Sequence, residues 1–245
     1  MVGTPASFTY WVATCPFAKS LSNHSCGATK RPSPWDAGLQ YDVYQKEEKT
    51  SAGKGYLFIK RTFDIAASVA AGILLLLPML LIAVLVRIDS HGPALFRQER
   101  LGKGGKPFTI IKFRTMYENA EANGPQWAVT NDVRCTKFGR FLRHTHLDEL
   151  PQIWNIIKGD MSIVGPRPER AYFYNKFELF VPGFCDRLEV RPGLTGLAQI
   201  NGGYELGPEE KIIYDMEYIH NRSVKMDVYC ILKTVGVVFT SNGAR

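Results

Sequence analysis

From Ile65 to Val86 the chain carries one polar side chain, Ser68, and no charge. About 20 apolar residues are enough to take a helix across a bilayer. Core helices of soluble proteins usually keep one polar face, and this run has almost none. It therefore reads as a membrane segment. Pro78 stands near its middle, where proline removes a backbone donor and clashes with the preceding turn, so a kink is expected there. Both flanks are cationic: Lys54, Lys60 and Arg61 before, and Arg87, Arg97, Arg100, Lys103, Lys106, Lys112 and Arg114 after. Positive charge marks the cytoplasmic side of a membrane segment. With both ends positive, the favoured arrangement is a re-entrant, monotopic helix that enters and leaves through one leaflet. The competing arrangement is one span with the first 60 residues on the far side. No second long apolar run exists to return the chain.

The remaining chain divides around that segment. Residues 1–55 are rich in Gly, Ser, Pro and charge, as in "NHSCGATKRPSPWDAG", and read as a disordered extension. Residues 56–90 form the membrane helix, and residues 91–245 a water-facing domain. Within it, "PALFRQERLGKGGKPFTIIKFRTM" places two apolar patches around a Gly-rich turn and predicts a β-hairpin. The apolar spacing from Phe138 to Ile157 predicts short helices broken around Thr145 and Pro151. "GPRP" and "RPGLTGLAQINGG" read as turn-rich loops. "GPEEKIIYDMEYIHNR", with Pro208 at its start, and "KMDVYCILKTVGVVF" read as amphipathic helices. The expected fold is a membrane-anchored α+β protein: one kinked re-entrant helix, then a small, mostly helical domain with a β-hairpin and interfacial amphipathic helices.

The formal net charge of +7 points to an anionic partner. Nucleic acid is the obvious candidate, but the chain has no zinc finger, RNP aromatic signature or basic heptad region. Phosphorylated metabolites and anionic membrane lipids remain. Five scattered cysteines, with no C-x-x-C pair, argue against a zinc site or disulfide framework.

Arginines and lysines recur beside glycines and prolines, among them Lys112, Arg114, Arg143, Arg167 and Arg191. Guanidinium planes suit bidentate contacts to phosphate. Arg167 is the most suggestive, because the two prolines of "GPRP" fix its mount and reduce the entropy lost on engaging a ligand. Within "HLDELPQIWN" stand adjacent acids, Asp148 and Glu149. Neighbours on a helix point about 100° apart, so the pair cannot flank one bond as paired glycosidase carboxylates do. The alternatives are acids facing a helix dipole, or a division of roles between nucleophile and ligand for a divalent metal. His144 and His146, just upstream, read as surface or partly packed residues rather than a catalytic base.

Five stretches occurring in order carry a resemblance: "KRTFDIAASVAAGILLLLPMLL", "GPALFRQERLGKGGKPFTIIKFRTM", "DVRCTKFGRFLRHTHLDELPQIWNIIKGDMSIVGPRPE", "RPGLTGLAQING" and "YDMEYIHNRSVKMDVYCILKT". From about Lys60 to Thr240 the chain resembles the bacterial sugar transferases, in their short monotopic form, which load a sugar-1-phosphate onto polyprenyl phosphate. The resemblance implies a UDP-sugar donor, a polyprenyl (undecaprenyl) phosphate acceptor and contact with membrane lipids. It implies Asp148 as nucleophile, forming a covalent phosphosugar intermediate with release of UMP, and Glu149 as ligand for Mg²⁺. Arg167 would hold phosphate or uridine. Lys112, Arg114, Arg143, Arg191 and Asp215 would line the substrate site, and Pro78 would be the membrane break. It places the domain on the cytoplasmic face of the bacterial inner membrane, at the start of capsule, exopolysaccharide or other glycan assembly, and leaves a homo-oligomer open. The rival from another class is a non-catalytic membrane scaffold whose basic face binds anionic lipid. His146 departs from the family pattern, where a small hydroxyl residue is common.

Overall fold

Proline 78 breaks the apolar run three residues before itself. In the computed structural model, which describes residues 52–118, 120, 132–203 and 206–240, helix α1 (Lys54–Leu74) stops and α2 (Leu76–Asp89) starts around Leu75, with a bend of 63°. The pyrrolidine ring clashes with the carbonyl four residues back, that of Leu74, where α1 ends. Pro78 itself lies in the first turn of α2, where its missing N–H would have no intrahelical acceptor. No single described helix is long and apolar enough to cross a membrane; the bent pair together has the length and composition. The expected extension over residues 1–55 falls almost wholly outside the described residues.

The inner face of α2 seats the hairpin end and the segment that carries the adjacent acids. Ile82 and Val86 are buried with Phe113 and Leu142, and Met79, Ala83, Phe138, Leu147 and Leu150 pack around them. Phe113 ends an antiparallel hairpin, β1 (Leu95–Leu101) with β2 (Pro107–Phe113), in which Leu95 faces Phe113 and Leu101 faces Pro107. Its connection uses Gly104 and Gly105 at φ 66° and 72°, values that glycine adopts without a Cβ clash. Leu142 belongs to α3 (Lys137–His144), which starts where the Thr136 hydroxyl accepts the Gly139 amide at 2.9 Å. The chain turns at His146 (φ 56°) into a 3₁₀ segment, Leu147–Gln152, and then α4 (Ile153–Lys158). The break expected at Thr145 is present, whereas Pro151 lies inside the 3₁₀ segment, which runs on directly into α4.

After β3 (Ser162–Val164) come α5 (Ala171–Glu178), a 3₁₀ turn over Phe184–Glu189, β4 (Gly193–Thr195), α6 (Leu197–Ile200), α7 (Pro208–Asn221) and α8 (Val224–Thr240). The main core joins α5, the 3₁₀ turn and α7 through Phe173, Tyr174, Phe177, Phe184, Leu188, Ile212, Met216 and Ile219. The architecture is mostly helical with a small hairpin, as expected. One addition was not expected: β3 and β4 pair in parallel, Ser162 beside Gly193 and Val164 beside Thr195, where β4 lies inside a stretch that reads as a loop and no strand was expected at β3. Strands of three residues are too short to show alternation. Their close approach depends on Gly193, where a Cβ would lie 2.1 Å from the Gly165 nitrogen and 2.3 Å from the Thr195 oxygen. Both neighbours are backbone and cannot swing away. Gly193→Ala should therefore cost ~3 kcal/mol, at the upper end for overpacking, measured as a lowered urea midpoint with an unchanged slope.

Candidate active site

The 3₁₀ segment presents the adjacent acids. With three residues per turn, Leu147 and Leu150 fall on one side, where they pack into the α2 cluster. Asp148 and Glu149 lie on the remaining sides, Asp148 buried and Glu149 half-buried. The carboxylate pair is thus pinned beside the bent apolar helices by its own flanking leucines.

Two cations from different segments converge on Glu149. Lys112, on the β2 face shared with Phe108 and Ile110, donates from Nζ to Glu149 Oε1 at 2.8 Å. Arg167 donates from Nη2 to the same oxygen and from Nη1 to Oε2 at 3.3 Å. Burial opposes ionisation of Glu149, but Arg167 and Lys112 overcome it and hold its carboxyl well below the usual range. Asp148 behaves oppositely. Among the described residues its carboxylate accepts no hydrogen bond. Burial, reinforced by the Glu149 charge, pushes it up to about 6, against the pull of Lys112, Arg143 and Arg167. Two neighbouring acids are thereby separated: one fixed as a carboxylate, the other titrating near neutrality with its lone pairs uncommitted.

The Pro-Arg-Pro mount is tied by hydrogen bonds to its backbone from several sides. The Gly165 amide donates to Thr195 O at 2.8 Å, and the Gly193 amide to Pro166 O at 2.8 Å. Arg187 Nη2 donates to Arg167 O at 2.9 Å, and Arg100 Nη1 to Pro168 O at 3.1 Å. Arg187 is fully buried, lies 4.6 Å over the Phe184 ring and donates from Nε to Asp215 Oδ2 at 2.6 Å. Asp215, expected to meet substrate, is instead a buried partner of Arg187, which in turn donates to the Arg167 backbone.

Arg114 is likewise displaced from its expected place. Its buried guanidinium donates to the carbonyls of His91, Ser90 (2.6 Å) and Val86 (3.3 Å), closing the C-terminal end of α2. Arg143 lies in the last turn of α3 with Nη1 3.0 Å from Cys135 Sγ, near enough to Asp148 to favour its ionised form. Arg191 is exposed, with its backbone against the Arg167 loop: a Cβ on Gly165 would lie 2.6 Å from Arg191 O. Pro78 takes no part in the site. Lys112, Glu149 and Arg167 are brought into contact, Asp148 adjoins them and Arg143 lies near; Arg114 and Asp215 are not at the surface of the site.

His146 owes its place to the turn. It is in the left-handed region, where a non-glycine residue is uncommon. Burial lowers its pKa, with Arg167 and Lys112 acting in the same direction against Glu149, so it stands neutral. Two supporting residues had no distinctive signal in the sequence. Arg187 is one. Asn155, also buried, is the other: its Oδ1 accepts the Ile111 amide at 3.1 Å and its Nδ2 donates to Thr109 O at 2.7 Å, so a side-chain amide completes the open edge of β2.

Among the described residues no three His, Cys, Asp or Glu side chains come together as a metal cage. Mg²⁺ usually takes only one or two carboxylates and completes its shell with phosphate oxygens and water. Glu149 Oε2, which accepts Arg167 Nη1 at 3.3 Å, with Asp148 beside it, fits an ion shared with a phosphate ligand better than one held by protein alone.

Fold and site together define a class, in which a carboxylate pair governed by cations is built against a bent apolar helix pair. The chain belongs to the bacterial sugar transferase family, whose model matches residues 55–241. It is similar to the UDP-N-acetylgalactosamine-undecaprenyl-phosphate N-acetylgalactosaminephosphotransferase of Aeromonas hydrophila, 44% identical over 193 residues, 78% of this chain and 46% of that protein. It is similar also to the UDP-glucose:undecaprenyl-phosphate glucose-1-phosphate transferase of Caulobacter vibrioides, 40% identical over 190 residues, 76% of this chain and 71% of that one. The UDP-galactose-lipid carrier transferase of Erwinia amylovora is 35% identical over 202 residues, 76% of this chain and 42% of that protein. The chain thus spans less than half of two of these relatives.

Proposed function

We propose that the protein is a phosphoglycosyl transferase that moves a sugar-1-phosphate from a UDP-sugar to polyprenyl phosphate at a membrane surface. The observation that carries this is the division between Asp148, buried and without a hydrogen-bond donor among the described residues, and Glu149, held ionised by Lys112 and Arg167. In the first step an Asp148 carboxylate oxygen attacks the β-phosphorus of the donor. The bond from that phosphorus to the bridging oxygen breaks, and UMP leaves with the electron pair. An acyl phosphate links Asp148 to the sugar. In the second step an oxygen of polyprenyl phosphate attacks the same phosphorus. The bond to Asp148 breaks, the carboxylate is restored, and polyprenyl-diphospho-sugar departs.

Arg167 and Lys112 orient the donor's diphosphate, Arg167 with its planar fork and Lys112 as a point charge. Glu149 keeps both cations in place before the donor arrives and would hold Mg²⁺, which when bound neutralises diphosphate charge. The exposed apolar side chains of α1 and α2, including Phe58, Phe63, Leu74, Leu77, Leu81 and Ile88, suit a lipid environment. Cations at both ends and the 63° bend support a re-entrant anchor. With the domain on the cytoplasmic face, a soluble nucleotide sugar and a lipid phosphate would meet at Asp148. The three relatives are named for different sugars, so the sugar is left to a donor panel. The scaffold alternative has no support: it needs neither the Asp148–Glu149 division nor the clamped Arg167.

The direct test incubates the full chain in membranes with a panel of UDP-sugars, Mg²⁺ and polyprenyl phosphate. UMP release is expected with at least one donor, with a burst of up to one equivalent when the acceptor is withheld. Release from none of them would defeat the proposal. The pH dependence follows from Asp148. Its folded pKa is raised, so the ionised nucleophile is lost as pH falls through about 6, whereas an ordinary aspartate stays ionised to about pH 4. Measured between pH 5 and 8.5, kcat/KM for the donor should fall toward tenfold per unit on the acid side of that midpoint and be level above pH 7.

A further inference from the structure

Along α1, Tyr56, Lys60, Asp64, Ser68 and Gly72 recur at every fourth position, each a neighbour of the next, in a stripe that winds about 40° around the helix per step. Phe58, Ile59, Phe63, Ile73 and Leu74 are exposed elsewhere on that helix, whereas Asp64 and Ser68 are buried. The stripe is turned into the domain. Tyr56 Oη and Lys60 Nζ donate to Asp227 Oδ2 at 2.9 and 3.0 Å. Arg61 donates from Nη1 to Ile156 O at 2.7 Å and from Nη2 to Ile157 O at 2.9 Å, at the C-terminal end of α4. Asp64 Oδ1 accepts the Ile163 amide, in the middle of β3, at 3.1 Å. A Cβ on Gly72 would rest 3.8 Å from Ile153 Cγ2, so the stripe lies along α4.

The Arg61 and Asp64 contacts fall on the two segments that make the site. Alpha-helix α4 continues directly from the 3₁₀ segment bearing Asp148 and Glu149. Strand β3 ends at Val164 and continues directly into Gly165-Pro166-Arg167. Arg61 and Asp64, one turn apart on α1, hold one segment each, and Glu149 and Arg167 meet beyond them. Burying a carboxylate costs free energy unless it is satisfied there. A helix that served only to sit in lipid would gain nothing from placing Asp64, 2% exposed, against a strand.

We propose that Asp64 is a positioning residue for Arg167: by holding β3 through the Ile163 amide it sets the Pro-Arg-Pro loop against Glu149, which makes α1 part of the active-site scaffold. The inference rests on the reading of this site as the one that binds the UDP-sugar. It does not require that α1 touch either substrate.

The test compares full-length wild type, Asp64→Asn and Asp64→Ala in membranes. Asn keeps an oxygen that can accept the Ile163 amide; Ala does not. The donor KM is expected to rise about tenfold in Asp64→Ala, with the acceptor KM and vesicle co-sedimentation unchanged. In Asp64→Asn the donor KM should stay within about threefold of wild type. Hydrogen–deuterium exchange over residues 162–168 should quicken in the Ala variant alone. Wild-type donor KM and exchange in Asp64→Ala would overturn the proposal, as would equal losses in both variants with failure to sediment. Should Asp64→Ala lack a cooperative melt, Asp64→Glu, which keeps the charge but shifts the acceptor by a methylene, carries the same expectation and the same overturning result. If wild type releases UMP from no UDP-sugar, the functional reading fails. The exchange comparison then still decides whether Asp64 holds the Arg167 loop.

Discussion

Asp148→Asn is expected to lower UMP release by at least ~10³-fold and, at the same time, to make the protein more stable. An amide matches the carboxylate in size but cannot attack phosphorus. The stability gain follows from burial. The folded carboxyl titrates near about 6, above the unfolded value near 3.9, so the folded state binds this proton more tightly. That contribution is fully present below the unfolded value and is lost as pH rises through about 6. At pH 8 wild type therefore carries an ionised, buried Asp148 that Asn does not, worth about 2–3 kcal/mol. Melting curves should diverge as pH is raised from 4 to 8, with the variant higher by several degrees at pH 8. An inactive variant with a raised melting temperature matches a nucleophile maintained at a cost to the fold. Undiminished turnover would sink the assignment of Asp148, whatever the melt shows.

How much of this site can be read from residues alone depends on how local each interaction is. The Asp148–Glu149 pair and the Pro-Arg-Pro mount are local, and both are found where their sequences suggest. Pro78 also announces a break, though the break falls at Leu75 because the steric conflict is with the carbonyl four residues earlier. Cations are harder. Lys112 and Arg114 are two residues apart on the same strand exit, yet Lys112 meets Glu149 and Arg114 closes the end of α2. Whether a basic side chain faces a ligand or a helix's last carbonyls is decided by packing 20 and more residues away. Asp215 is similar: its partner Arg187 lies 28 residues earlier. The parallel β3–β4 pair leaves no periodic trace, only the glycine its spacing demands. Asp64 did leave a trace, an acid at the head of an apolar run, and its place in the four-residue stripe with Tyr56, Lys60 and Ser68 marks the face that turns inward.

Glu149→Ala should be the most destabilising change in the site, by ~3–5 kcal/mol, the range for removing one member of a buried ion pair. The reason lies in what remains. Lys112 and Arg167, with side chains 16% and 21% exposed, lose the acceptor that both share. Glu149→Gln keeps one acceptor oxygen without the charge, and should cost less, about 1–2 kcal/mol. Both variants should lose turnover, but the informative readout is ligand-induced stabilisation. In wild type, UDP must draw Arg167 and Lys112 away from Glu149, and Mg²⁺ held by Glu149 would compensate that carboxylate, so the shift in melting temperature given by UDP should depend on Mg²⁺. In Glu149→Ala the two cations are available to the diphosphate from the start. UDP alone should then raise the melting temperature, and by more than it raises that of wild type without metal. Mg²⁺ should add nothing further. If Mg²⁺ enhanced the UDP shift equally in wild type and Glu149→Ala, the metal would be held elsewhere. Glu149 would then be only the resting partner of Lys112 and Arg167, and the division of labour between the two acids would reduce to a nucleophile beside a placeholder.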